Sequence, residues 1–87
     1  MYKPINDWSK RKKEKLNKYI VVWVPEHPKS FSGGWYYEHR LVLEKQLNRI
    51  LKAWETIHHL DGNKENNSID NLFPCTEREH RYAHEIA

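Results

Sequence analysis

The sequence predicts a small α+β domain in which a β-hairpin and a helix precede a strand–loop–strand–helix unit. Three patterns carry this expectation. The run Tyr19-Ile20-Val21-Val22-Trp23-Val24 is rich in β-branched and aromatic residues and stops at Pro25, which is the composition of a strand. Leu43, Leu47, Ile50 and Leu51 recur at helical spacing, with Leu41 and Val42 beside them, as an amphipathic helix requires. Near the C-terminus two short apolar runs flank a polar stretch dense in Asn and Asp.

Residues 25–34 hold Pro25, Pro28, Gly33 and Gly34 and read as a loop. Trp35-Tyr36-Tyr37 then suits a returning strand that closes the hairpin. The helix is expected from about residue 38 to 48 or a little beyond, its apolar face turned to the core and Trp54 packed there too. Residues 55–60 form a short strand. In the polar segment from Asp61 to Asn71, Asp61-Gly62 marks a tight turn, and the asparagines tolerate left-handed backbone and bond their own chain. The loop is therefore built, not merely solvated. Leu72-Phe73-Pro74-Cys75 reads as the second strand. Thr76, with Glu79 three residues on, makes a capping box for a last helix.

At 87 residues the chain is one small domain with an arm. A domain of this size buries limited surface and often needs a staple. One cysteine, Cys75, excludes an internal disulfide, whereas six histidines offer a metal. The net charge of +3 and pI near 9.0 permit an anionic partner. Residues 1–20 carry Lys3, Lys10, Arg11, Lys12, Lys13, Lys15 and Lys18 against Asp7 and Glu14, more positive charge than the whole chain nets. We therefore divide the chain into a basic N-terminal arm, 1–18, and a domain, 19–87. The arm is either a solvated tail or a phosphate-tracking element. No run approaches the roughly 20 apolar residues of a membrane span, and a free thiol without a leader peptide points to a reducing cytoplasm.

His58 and His59 are strand neighbours, so they face opposite ways. His80 and His84 lie four apart on the expected helix and share a face. If that helix packs across the strand pair, its histidines meet one of the strand histidines, giving three imidazoles and an open coordination position. His27 and His39 lack such company and are read as a loop residue and a structural residue.

The string Ile57-His58-His59-Leu60-Asp61-Gly62-Asn63-Lys64, with Asn66-Asn67, Asn71-Leu72 and His80, resembles the HNH endonuclease motif, above all its phage and intron-encoded forms. Residues 34–44, from Gly34-Trp35-Tyr36-Tyr37 to Glu44, are similar to the segment that precedes the motif there. The resemblance spans roughly residues 19–84. It implies a ββα-metal core at about 55–86 that cuts DNA phosphodiester bonds with one divalent metal (Mg, Mn, Ni or Zn). His59 would then be the general base, suited by an imidazole pKa of about 6.5. Asn71 would brace the loop and orient His59, and His58, His80 and His84 would hold the metal. The metal would stabilise charge on the phosphate and on the leaving oxygen. Arg40, Lys64, Arg78 and Arg81 are the candidate phosphate contacts, and Asp61 is expected to shape its turn.

Two rival readings stand beside this one. Cys75, His80, His84 and His58 would close a structural zinc site. Alternatively, the chain is a DNA-binding or phage packaging accessory that acts only with a packaging partner. Double-strand cleavage from one active site per chain would call for a homodimer. A phage-encoded chain would work in the host cytoplasm.

Overall fold

In the computed structural model, which describes residues 4–52 and 54–76, the apolar run becomes the central strand of a three-stranded antiparallel sheet. This is β2 (Tyr19–Trp23), flanked by β1 (Lys13–Leu16) and β3 (Trp35–Tyr37). Lys13 lies opposite Val22 and Leu16 opposite Tyr19 on one side; Val21 lies opposite Tyr37 and Trp23 opposite Trp35 on the other. Neighbouring strand residues point to opposite faces, and Val21 and Val22 are both buried. The sheet is therefore covered on both sides at its centre. All four β1 side chains are exposed, and such a charged edge discourages further strand pairing.

Residues 1–18 are thus not simply an arm. Within their described part, β1 completes the sheet, and Ile5 and Trp8 pack against a buried cluster of Val22, Val24, Tyr36 and Leu41. The cause is the run at 19–23, which leaves an unpaired strand edge and an apolar face that those residues cover. Gly34 closes the long loop between β2 and β3. It has φ 139°, and a Cβ there would lie 2.9 Å from Pro25 Cβ and from the Trp23 ring; only glycine allows that approach.

Helix α1 (Glu38–Leu47) follows β3 directly and ends at Asn48, which adopts φ 57° and donates its N–H to the Glu44 carbonyl. The helix ends close to its expected bound, where a left-handed residue stops it, and Ile50 and Leu51 lie beyond it. Leu51 is nevertheless fully buried. Trp54 departs from expectation: it is 62% exposed, with the Lys52 ammonium 5.3 Å from its ring centroid.

On the helix face that packs against the loop, Glu44 is fully buried. Its carboxylate accepts from Tyr36 Oη at 2.7 Å and from the Leu51 N–H at 3.1 Å, and His27 Nε2 lies 2.8 Å from it. His27 stacks on Tyr36 with centroids 3.8 Å apart, so it is a core residue of the hairpin loop and not an idle loop histidine. Burial, followed by the neighbouring Glu44, pushes the Tyr36 hydroxyl well above the ordinary tyrosine range.

β4 (Glu55–His59) and β5 (Leu72–Thr76) pair antiparallel, with Glu55 opposite Thr76 and His59 opposite Leu72. A single 3₁₀ turn, Ile69–Asn71, leads into β5. Leu43, Leu51 and Leu72 form a second buried cluster, joined by Val42 and Ile57. Helix α1 therefore bears on both sheets, and its position fixes where β4 presents its histidines. Thr76, expected as a helix cap, is the last residue of β5. The expected helix after it, with Arg78, His80, Arg81 and His84, lies outside the described residues. No described helix is long and apolar enough to cross a membrane.

Candidate active site

Strand alternation on β4 puts His59 on the face of Ile57, which packs under α1 through Leu43 and Leu72. His58 points to the other face, with Thr56. His59 is 5% exposed and His58 is half-buried.

The loop after β4 is tied by its own side chains. Asp61 Oδ1 accepts from the Asn63 N–H at 2.8 Å and from Asn71 Nδ2 at 2.9 Å, and Oδ2 accepts from Asn66 Nδ2 at 2.8 Å. These bonds, from Asn66 first and then the Asn63 N–H and Asn71, hold the Asp61 carboxyl below the usual carboxylate range. Asn71, itself buried, accepts the Asp61 N–H at 3.0 Å and donates to the Asn66 carbonyl at 2.9 Å. Its carbonyl also takes the Leu60 N–H at 2.9 Å. Asn71 thus spans the loop and clamps the two residues that follow His59.

His59 Nε2 lies 2.9 Å from Asn67 Oδ1. Asn67 in turn donates from Nδ2 to Glu38 Oε1 at 3.0 Å, and Glu38 sits in the first turn of α1. Glu38 Oε2 receives Trp8 Nε1 at 3.0 Å and Lys13 Nζ at 2.7 Å. Burial raises the Glu38 carboxyl, but the bonds from Asn67, Lys13 and Trp8 outweigh it and leave it below its ordinary value.

Aromatic rings surround the other side of His59. His39 meets it edge-on with centroids 5.2 Å apart, and Tyr19 lies at 6.4 Å. Tyr19 and Tyr37 also flank His39, at 5.3 and 5.2 Å. His39 is 7% exposed and its Nδ1 has no hydrogen-bond partner among the described residues. Burial foremost, then the nearby His59 and Arg40, pulls its pKa down to about 3, so the ring is neutral at physiological pH. A cleft of about 320 Å³ opens beside this group, lined by Tyr19, Tyr37, His39, Arg40, Thr56 and Lys64 among others. The Lys64 ammonium stands 5.7 Å from the Tyr19 ring centroid.

Arg40 serves the fold first. It donates to the carbonyls of Glu55 at 2.9 Å and Lys52 at 3.2 Å and to Tyr36 Oη at 3.1 Å. A guanidinium has five N–H groups, so some remain to face the cleft.

Of the three imidazoles that the motif assigns to a metal, His58 alone falls among the described residues. There, no three His, Cys, Asp or Glu side chains converge to hold a cation. One imidazole does not make a metal centre, and the other two expected ligands, His80 and His84, lie outside the described residues. Cys75 is buried with its thiol free of any disulfide, and its Sγ lies 3.5 Å from Thr56 Oγ1.

Sequence reasoning placed His59, Asn71 and Lys64 in this neighbourhood but missed Glu38, Asn67 and the ring of Tyr19, Tyr37 and His39. Asn67 is the second residue of the Asn66-Asn67 pair, and Glu38 directly precedes His39; no periodicity marks either as a partner of His59.

No curated protein and no solved structure matches the chain. A family model described as HNH endonuclease matches residues 36–82, more than half of the chain, and takes in α1, β4, the braced loop and β5. With the paired histidines, the Asp-Gly turn and the bridging Asn71 held in one structural unit, the chain belongs to the HNH endonuclease family.

Proposed function

We propose that this protein is a metal-dependent endonuclease that hydrolyses DNA phosphodiester bonds, with His59 as the general base. The observation that carries the proposal is the setting of His59. One ring nitrogen is tied to Asn67, the other has no hydrogen-bond partner among the described residues, and a cleft carrying Arg40 and Lys64 lies alongside. An imidazole so held has a ring nitrogen left to accept a proton from water. Asn71 keeps the loop that follows His59 in place. Lys64, the remaining N–H groups of Arg40, and Arg78 and Arg81 grip the phosphates on either side of the bond that is cut. The exposed Lys10, Lys12, Lys15 and Lys18 extend that grip along the backbone, at a cost in salt sensitivity.

His58, His80 and His84 are the proposed metal ligands of a ββα-metal core. A divalent cation bound there would supply charge stabilisation at the phosphate and the leaving 3′-oxygen. His59 is on the opposite strand face from His58, so base and ligand are separated by the alternation of β4 alone.

The test is cleavage of supercoiled plasmid by chelator-stripped protein, with Mg, Mn, Ni or Zn added back, beside His59→Ala. Metal-dependent relaxation or linearisation that the variant lacks is the expected result. Absence of cleavage with every metal, or equal cleavage by the variant, contradicts the proposal.

A further inference from the structure

Resting on the reading of His59 as the base, we infer that Glu38 is a positioning residue: acting through Asn67, it fixes which nitrogen of His59 carries the proton.

The argument is one of donors and acceptors. A carboxylate only accepts hydrogen bonds. Glu38 accepts three, Trp8 Nε1 and Lys13 Nζ on Oε2 and Asn67 Nδ2 on Oε1. The Asn67 amide must therefore turn its NH₂ toward Glu38, since the reverse orientation would set an amide oxygen against a carboxylate. That leaves Asn67 Oδ1 facing His59 Nε2 at 2.9 Å. An amide oxygen carries no hydrogen, so in the neutral ring Nε2 must be the protonated nitrogen and Nδ1 the one with the lone pair. The proton drawn from water goes to Nδ1, and the ring holds its orientation because Nε2–H is already bonded.

The relay joins three separate pieces of chain: the N-terminal segment through Trp8 and Lys13, the start of α1 through Glu38, and the loop after β4 through Asn67. Residues 4–16 thus have a part at the base that their charge alone does not reveal. Replacing Glu38 with glutamine removes the constraint. A side-chain amide can donate or accept, so Asn67 becomes free to turn over and offer its NH₂ to His59, favouring the opposite tautomer.

The tautomer can be read without DNA or metal. Two-bond proton–nitrogen correlation spectra of the full chain labelled with ¹⁵N-histidine, taken at pH 8 and assigned with His59→Gln, report the state of each ring nitrogen. The wild-type chain should show His59 protonated at Nε2 and not at Nδ1. Glu38→Gln should introduce the Nδ1–H form, and so should Asn67→Leu, which leaves Trp8 and Lys13 on Glu38. Wild-type His59 protonated at Nδ1 overturns the inference even if neither variant folds, and a Glu38→Gln spectrum identical to wild type removes Glu38 from it. In cleavage assays Glu38→Gln should lower kcat while KM stays unchanged. The loss should be on the order of the 10- to 100-fold typical when a supporting partner of a functional histidine is removed. A chain with the expected tautomer that cuts no DNA keeps the relay and refutes the nuclease. A chain that cuts DNA with the other tautomer does the reverse.

Discussion

Helix α1 carries two glutamates that each organise a histidine, and the two regions use the same chemistry to opposite ends. Around Glu44 the network is closed. His27 Nδ1 accepts the Lys29 N–H at 3.0 Å while Nε2 meets Glu44 directly, and Tyr36 and the Leu51 N–H complete the carboxylate. Both His27 nitrogens are engaged and its side chain has no exposed surface. Around Glu38 the network is open. The carboxylate reaches His59 only through a neutral amide, and the other ring nitrogen has no bond among the described residues. A buried carboxylate–imidazole contact can thus be purely structural, and of these two histidines His59 is the one that keeps a ring nitrogen without a hydrogen bond among the described residues.

The comparison breaks most visibly at the closed network. Glu44→Ala would leave Tyr36 Oη, the Leu51 N–H and His27 Nε2 buried without their acceptor. Removing one partner from such a group costs about 3–5 kcal/mol, a large share of the roughly 5–15 kcal/mol that holds a domain together. Urea denaturation should show most of the stability gone. A loss below about 1 kcal/mol would mean that the network does not hold the hairpin loop to α1.

A smaller effect should separate the two regions by pH. His39, on the Glu38 side, is buried with no carboxylate bonded to it among the described residues, and its pKa falls from 6.5 to about 3. The unfolded chain binds the His39 proton near pH 6.5 while the folded chain resists it. The stability is therefore intact above pH 6.5 and is lost as pH falls toward 3. The slope approaches 1.4 kcal/mol per pH unit within that window. Urea midpoints measured between pH 7 and 5 should fall in the wild type and fall less steeply in His39→Phe. Equal slopes would remove His39 as the source.

Much of the scaffold was legible because it rests on local patterns. The β-branched run specified β2, and the aromatic triplet at 35–37 specified β3. The motif spacing located the β4–loop–β5 unit, with Asn71 bridging it. What was not legible depends on contacts distant in sequence. Glu44 and His27 are 17 positions apart, and Asn67 and Glu38 are 29 apart; neither pairing leaves a periodic trace. Helix α1 ends within a residue of its expected bound; the apolar spacing runs on to Leu51, but a left-handed residue at Asn48 stops the helix, and Leu51 is buried from outside it. Trp54, expected on the apolar face of the helix, instead faces outward, 62% exposed with Lys52 over its ring. The basic residues before 19 concealed a strand, since an edge strand tolerates exposed charges such as Lys13, Glu14 and Lys15.

The central claim is that adjacent histidines on β4 divide the work, His59 as base and His58 as metal ligand. The direct measurement is a paired one: calorimetric titration of Ni or Zn into His58→Ala and His59→Ala, alongside single-turnover cleavage by each. The account predicts that His59→Ala keeps metal affinity and loses turnover, while His58→Ala loses both. Metal lost in His59→Ala, with cleavage retained, would contradict it and exchange the two roles.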